Sequence, residues 1–163
     1  MTDKRLLDLE EIRRLKHYYY CHCIDRGVAG DEAAFDEHRA RFTETATADF
    51  TPFPPFEGKA AVLGYLTGTV PEALSYSHHR VMNEVIDIDG DEAAGQWYFD
   101  CPVVWRPGNV FELSGPGIIF GRYEERYVRE DGEWKWQHIT ALLDVVTDAD
   151  LPWGDVKWLH KNR

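Results

Sequence analysis

Two Asp-Gly turns, Asp89-Gly90-Asp91 and Asp131-Gly132, each stand between long runs rich in β-branched and aromatic residues. Such turns supply the left-handed backbone that joins two antiparallel strands. The second half of the chain is therefore constrained to hairpins: residues 76–88 against 93–105, and 117–129 against 133–146, with Arg106-Pro107-Gly108-Asn109 turning between them. The first half has a different period. Leu9, Ile12, Leu15 and Tyr19 recur at spacings of three and four, which predicts an amphipathic helix over about residues 6–25. Gly27 and Gly30 end it, and Asp31 is placed to cap a second helix running to Phe42. Residues 45–53 read as a strand that stops at Pro54-Pro55, and residues 58–66 as a further helix. Helices first and hairpins afterwards predict an α+β fold, a cone-shaped curved antiparallel sheet packed on N-terminal helices with room for an interior. The whole chain, 1–163, reads as a single domain with its core over about residues 8–148 and a C-terminal extension, 149–163, that carries Trp153 and Trp158.

Composition narrows the functions open to such a cone. Lys and Arg number 18 against 29 Asp and Glu, a net charge of −11, which argues against recognition of nucleic-acid phosphates or an anionic membrane through a basic field. No apolar run approaches the roughly 18 residues of a membrane-spanning helix. Cys21, Cys23 and Cys101 are too few, and odd in number, for a disulfide framework, so a cytoplasmic setting is expected. Aromatic residues make up 13% of the chain, six Trp among them, enough to line an interior cavity with rings.

Three places could carry chemistry. Asp25 ends the Tyr-rich stretch 18–25, where an acid at a helix C-terminus needs a compensating partner such as a histidine. His78 and His79 are adjacent on a strand, so one alone can face inward, and period two groups each with apolar residues without choosing between them. Asp100 ends an aromatic strand, where burial would raise its pKa unless a cation or donor sat beside it. The chain has no dinucleotide or phosphate-loop signature, no GxSxG and no HExxH. Cys21-His22-Cys23 fans around a helix by about 100° per residue and cannot converge on one ion. Neither a metal nor a nucleotide cofactor is expected.

Three stretches carry a resemblance: LEEIRRLKHYYYCHCIDRG (9–27), HHRVMNEVIDIDGDEAAGQWYF (78–99) and RYEERYVREDGEWKWQHI (122–139). Together they resemble the SnoaL-like branch of the nuclear transport factor 2 superfamily. Within it they are most similar to the dehydratase group of scytalone dehydratase, bile-acid dehydratase and hexachlorocyclohexane dehydrochlorinase. The resemblance implies a cone-shaped barrel, commonly trimeric, whose pocket holds an Asp–His dyad. Asp25 matches the family aspartate, and His79 or His78 the histidine. Tyr20, or Tyr19 by a one-residue slip, takes the general-acid position, and Asp100 falls beside a further pocket acid. No arginine stands where the bile-acid enzyme has one late in its chain; the stretch here is Ala141-Leu142-Leu143-Asp144.

The implied activity is a cofactor-free lyase that eliminates water, in some substrates with formaldehyde, from a hydrophobic aromatic or polycyclic molecule. His79 would act as base, Asp25 as its orienting partner and Tyr20 as acid, because an imidazole with an unperturbed pKa of about 6.5 is neutral yet ready near neutral pH. Tyr98, Phe120 and Trp136, with Tyr19 and His78, would hold the substrate. A SnoaL-like cyclase or isomerase, a small-ligand-binding module and the β-subunit of a ring-hydroxylating dioxygenase remain the other readings of the same fold.

Overall fold

The computed structural model describes residues 3–148, so the expected tail with Trp153 and Trp158 lies outside the described residues. Helix α1, Asp3–Arg14, runs on into a π-helical segment, Leu15–His22, and then into α2, Cys23–Val28. The Cys23 N–H reaches back to the Tyr18 carbonyl, five residues earlier. A π turn takes up one more residue than an α turn, so it rotates everything after it relative to an unbroken α-helix. Helix α3, Glu32–Arg39, follows a turn and is capped by Asp31, whose carboxylate accepts from the Ala34 N–H. It packs so closely on α2 that a Cβ on Gly27 would lie 2.1 Å from the Phe35 ring.

The remaining elements are β1 (Phe42–Phe50), β2 (Phe56–Glu57), α4 (Lys59–Gly64), a second π-helical turn (Tyr65–Thr69) and α5 (Val70–Ala73). After them come β3 (Leu74–Ser77), β4 (Arg80–Asp89), β5 (Glu92–Trp105), β6 (Gly115–Glu130) and β7 (Glu133–Asp148). The strands form one curled sheet in the order β2-β1-β7-β6-β5-β3, with β4 also paired to β5. It is a mixed sheet, because β1 runs parallel to β7 while the other pairs are antiparallel. Both Asp-Gly turns sit where expected, between β4 and β5 and between β6 and β7. The helices fill the concave side, giving the α+β cone that the element order implies. Among the described residues no helix is long and apolar enough to cross a membrane.

Two of the departures from the reading of the sequence have a tertiary reason. Phe42 opens β1 instead of ending a helix, since its ring is buried in a stack with Trp136, 5.0 Å between centroids. The strand expected over 76–88 is two strands, broken at His78-His79, and its second part slips register between Met82 and Val85 around Asn83 with φ 54°. Before that bulge Val81 faces the core, and after it Ile86 and Ile88 do. A strict period of two therefore could not decide which histidine faced inward.

His38 on α3 is fully buried and its Nδ1–H donates to the Tyr19 carbonyl of the π-helical segment at 2.7 Å. Burial, only partly offset by that hydrogen bond, pushes its pKa down from 6.5 to about 4. Below about pH 6.5 the unfolded chain takes up a proton that the fold rejects, so stability is lost as pH falls from there toward 4. The full cost is about 3 kcal/mol. His38→Asn keeps a donor but does not titrate; its denaturant-derived stability is expected to lose that acid limb. An acid limb of unchanged depth would assign the effect to other groups.

Candidate active site

Asp25 lies in α2, and the break between β3 and β4 brings His79 against it. The His79 Nδ1–H donates to Asp25 Oδ1 at 2.6 Å, the His79 backbone N–H donates to Oδ2 at 2.9 Å, and the Ser77 hydroxyl donates to Oδ1 at 2.7 Å. Three donors on one carboxylate fix both its orientation and its charge. Burial works to raise the Asp25 pKa, but the hydrogen bonds from His79 and Ser77 and the imidazolium charge hold it below the ordinary value. For His79 burial works downward, while Cys101 and the Asp25 carboxylate outweigh it and raise the pKa well above that of a free imidazole. The two directions agree: each partner favours the charged form of the other.

His79 opens on a cavity of about 70 Å³ with largely apolar walls, among them Phe50, Leu66, Phe99, Trp105 and Leu143. Tyr20, from the π-helical segment, lines it and stands edge-on to His79 with 5.9 Å between ring centroids. In an unbroken α-helix, residues five apart lie about 140° apart around the axis. The π turns change that phase, and Tyr20 and Asp25 both reach His79. The hydroxyls of Tyr20 and of Tyr123 on β6 share a hydrogen bond. Burial, partly countered by that bond, raises the Tyr20 pKa well above 10, so the phenol keeps its proton until something in the cavity takes it.

Beneath the tyrosines lies a fully buried ion pair. Lys16 Nζ is 2.6 Å from Glu125 Oε1, and neither side chain is exposed. The ammonium sits 3.8 Å from the Tyr20 ring centroid and 3.2 Å from that of Tyr123. The other Glu125 oxygen accepts from the Tyr127 hydroxyl and from Trp136 Nε1 at 3.3 Å, and Trp97 Nε1 donates to the Tyr127 oxygen at 3.1 Å.

The structure brings together Tyr20, Asp25 and His79 and separates them from the other expected site residues. His78 is exposed and meets the Tyr76 hydroxyl, because the strand break turns it outward. Tyr19 lies on another side of the helix, where its oxygen accepts from Arg41 Nη2 at 3.0 Å. Tyr98 is 50% exposed and Asp100 pairs with Arg80 across the outer face of β4 and β5. It is Phe99 and Cys101, one residue along in each case, that reach the cavity. Phe120 is half-buried outside the cavity wall, which its neighbour Ile119 lines. Trp136 is buried in the core against Tyr20, Phe42 and Glu125, below the cavity floor. The reading of the sequence missed Ser77, Cys101, Tyr123 and the Lys16–Glu125 pair. A charge at position 16, four residues after Ile12 on the apolar stripe, was the available signal for the last.

A family model describing the SnoaL-like domain matches residues 4–140. No curated protein sequence matches the chain. Among solved structures, a scytalone dehydratase-like protein of Novosphingobium aromaticivorans is 20% identical and superposes over 100% of both chains with a TM-score of 0.77. A hexachlorocyclohexane dehydrochlorinase of type 3 from Novosphingobium barchaimii is 18% identical, with 88% of this chain and 90% of that one covered and a TM-score of 0.69. An aromatic ring hydroxylase-like protein, also of Novosphingobium aromaticivorans, is 23% identical over 83% of this chain and 88% of its own, with a TM-score of 0.67. At these identities the likeness is one of fold.

Proposed function

The chain belongs to the SnoaL-like family, and from that premise we propose that it is a cofactor-independent lyase eliminating water, in some substrates together with formaldehyde, from a hydrophobic aromatic or polycyclic small molecule. The observation that carries the reading is the Asp25–His79 pair facing an apolar cavity with the protonated Tyr20 beside it. The names of two structural neighbours, a dehydratase and a dehydrochlorinase, also denote eliminations.

In this scheme His79 uses the ring nitrogen not held by Asp25 to take a proton from the carbon next to a carbonyl or activated ring. The electron pair of that C–H bond becomes the new double bond, and the departing hydroxide collects the Tyr20 proton and leaves as water; where formaldehyde also leaves, His79 instead takes the hydroxyl proton of a neighbouring CH2OH group, whose C–C bond supplies the electron pair. Transfer of the proton on His79 back to the Tyr20 oxygen closes the cycle. Asp25 keeps Nδ1 protonated throughout and stabilises the imidazolium. Each positioned acid or base contributes about 10²- to 10⁴-fold. The apolar walls exclude water, which strengthens both interactions.

The base must be neutral to act, and Asp25 raises the His79 pKa, so kcat/KM is expected to climb with pH through a midpoint above that of free imidazole. Asp25→Ala should move that midpoint down as activity falls. A midpoint that stays put would detach the acid limb from His79.

The reading itself is tested by mass spectrometry of hydroxylated aromatic, diaryl and steroid-like compounds incubated with the metal-stripped protein. Loss of one water, with or without one formaldehyde, is expected with the wild type and not with His79→Ala. Retention of a compound without any change in mass would overturn the lyase in favour of a binding module, and a rearranged product of equal mass would indicate an isomerase or cyclase.

A further inference from the structure

We propose that Lys16 is a positioning residue for the reaction: held by Glu125 under the faces of Tyr20 and Tyr123, its ammonium favours the negative charge that develops on the Tyr20 oxygen as the phenol gives up its proton. The inference rests on the reading of Tyr20 as general acid. Lys16 touches no substrate, because it is fully buried below the cavity floor.

The orientation of the ion pair carries the argument. Its ammonium end lies against the two tyrosine rings, whereas its carboxylate end points to donors, Tyr127 and Trp136, that satisfy the remaining oxygen. The pair is thus a fixed dipole with its positive end against the Tyr20 ring, while the Glu125 charge works the other way and raises the Tyr20 pKa. Buried ion pairs contribute little to stability compared with apolar side chains of similar volume, which would fill this floor without desolvating two charges. A ring face attracts a cation already in the neutral phenol, and the attraction grows as the ring system becomes anionic. Lys16 therefore interacts more strongly with the charged form of Tyr20 than with the neutral one, which is the condition for assisting proton release.

The groups facing the ammonium are Glu125 and Tyr123 from β6, Tyr20 and Cys21 from its own helix, and the neutral His38 from α3, with His17 adjacent in sequence. Burial lowers the Lys16 pKa, with Glu125 opposing it. As pH rises, Lys16 loses its charge earlier than a solvated lysine would, and kcat falls with it.

The test removes both charges at once with Lys16→Met/Glu125→Gln, which keeps the volume and leaves no unpaired ion. A fluorinated tyrosine of lower intrinsic pKa is placed at position 20, and its ionisation is followed by absorbance and fluorine NMR in the wild-type background and in the double variant. The phenol is expected to become about tenfold less acidic without Lys16, a shift of about one pH unit. With a substrate in hand, kcat is expected to fall about tenfold at unchanged KM, and the alkaline limb of its pH profile to disappear. An unshifted ionisation in a folded double variant would overturn the inference whatever happens to turnover. A shifted ionisation supports it even where no compound loses water, an outcome that would count against the proposed reaction alone.

Discussion

Asp25→Asn is expected to lower kcat by about 10³- to 10⁴-fold with the fold intact, as expected when a base-orienting carboxylate becomes an amide. The cause is tautomeric. The carboxylate only accepts, so it holds the His79 proton on Nδ1 and leaves the other ring nitrogen free to take one. An amide has the same shape but two donors, and turning its NH2 toward Nδ1 places the ring proton on the catalytic nitrogen. The same flip turns the NH2 toward the Ser77 hydroxyl, which now donates to that position and would have to accept instead, while the His79 backbone N–H keeps an acceptor. Steady-state kinetics give the loss, thermal unfolding verifies the fold, and nitrogen NMR of the imidazole reads the tautomer. Turnover within tenfold of wild type would show that Asp25 serves only to tie α2 to β3.

The largest effect on stability is expected at the cavity floor. Lys16→Met leaves the Glu125 carboxylate buried with no counter-charge, and Glu125→Leu does the same to the ammonium; each should cost about 3–5 kcal/mol. Lys16→Met/Glu125→Leu together should recover most of that loss, because the two penalties share one cause. Denaturant titrations of the four proteins make a double-mutant cycle whose coupling term should approach the sum of the two single losses. Additive losses would mean that the charges are screened independently and that their closeness is incidental.

Much of the sheet was legible because alternation and turn chemistry act locally. The Asp-Gly turns placed two hairpins correctly, and the inward set of β5, Trp97, Phe99, Cys101, Val103 and Trp105, is visibly the more apolar of its two faces. Tyr98 and Asp100 belong to the other set and lie on the outer face. The partnership of Asp25 with His79 was suggested by a charge that needed a partner and by the resemblance. Its geometry was not, since it depends on a strand break, and the bulge at Asn83 inverts the inward set beyond it. The choice of Tyr20 over Tyr19 turns on the π-helical turns, which have no hydrophobic period of their own and arise from packing against α3 and the sheet. Tyr123 and Glu125 were missed because their partners are distant in sequence, and no local rule links position 16 to position 125.

That distance has a consequence for how the chain matures. Lys16 and Glu125 are 109 residues apart, Asp25 and His79 are 54 apart, and Asp8 with Arg129 adds a third long tether from the first helix to β6. During synthesis the helix precedes β6, so the lysine on its apolar side has no counter-ion until β6 has been made. Until then, docking the helix would bury a lone charge, so the electrostatics favour keeping it solvated and oppose premature collapse onto a partial sheet. Closure of the cone then couples the β6–β7 hairpin to the first helix through contacts of large sequence separation. The buried lysine thus makes docking of the first helix electrostatically favourable only together with β6, which carries its counter-ion.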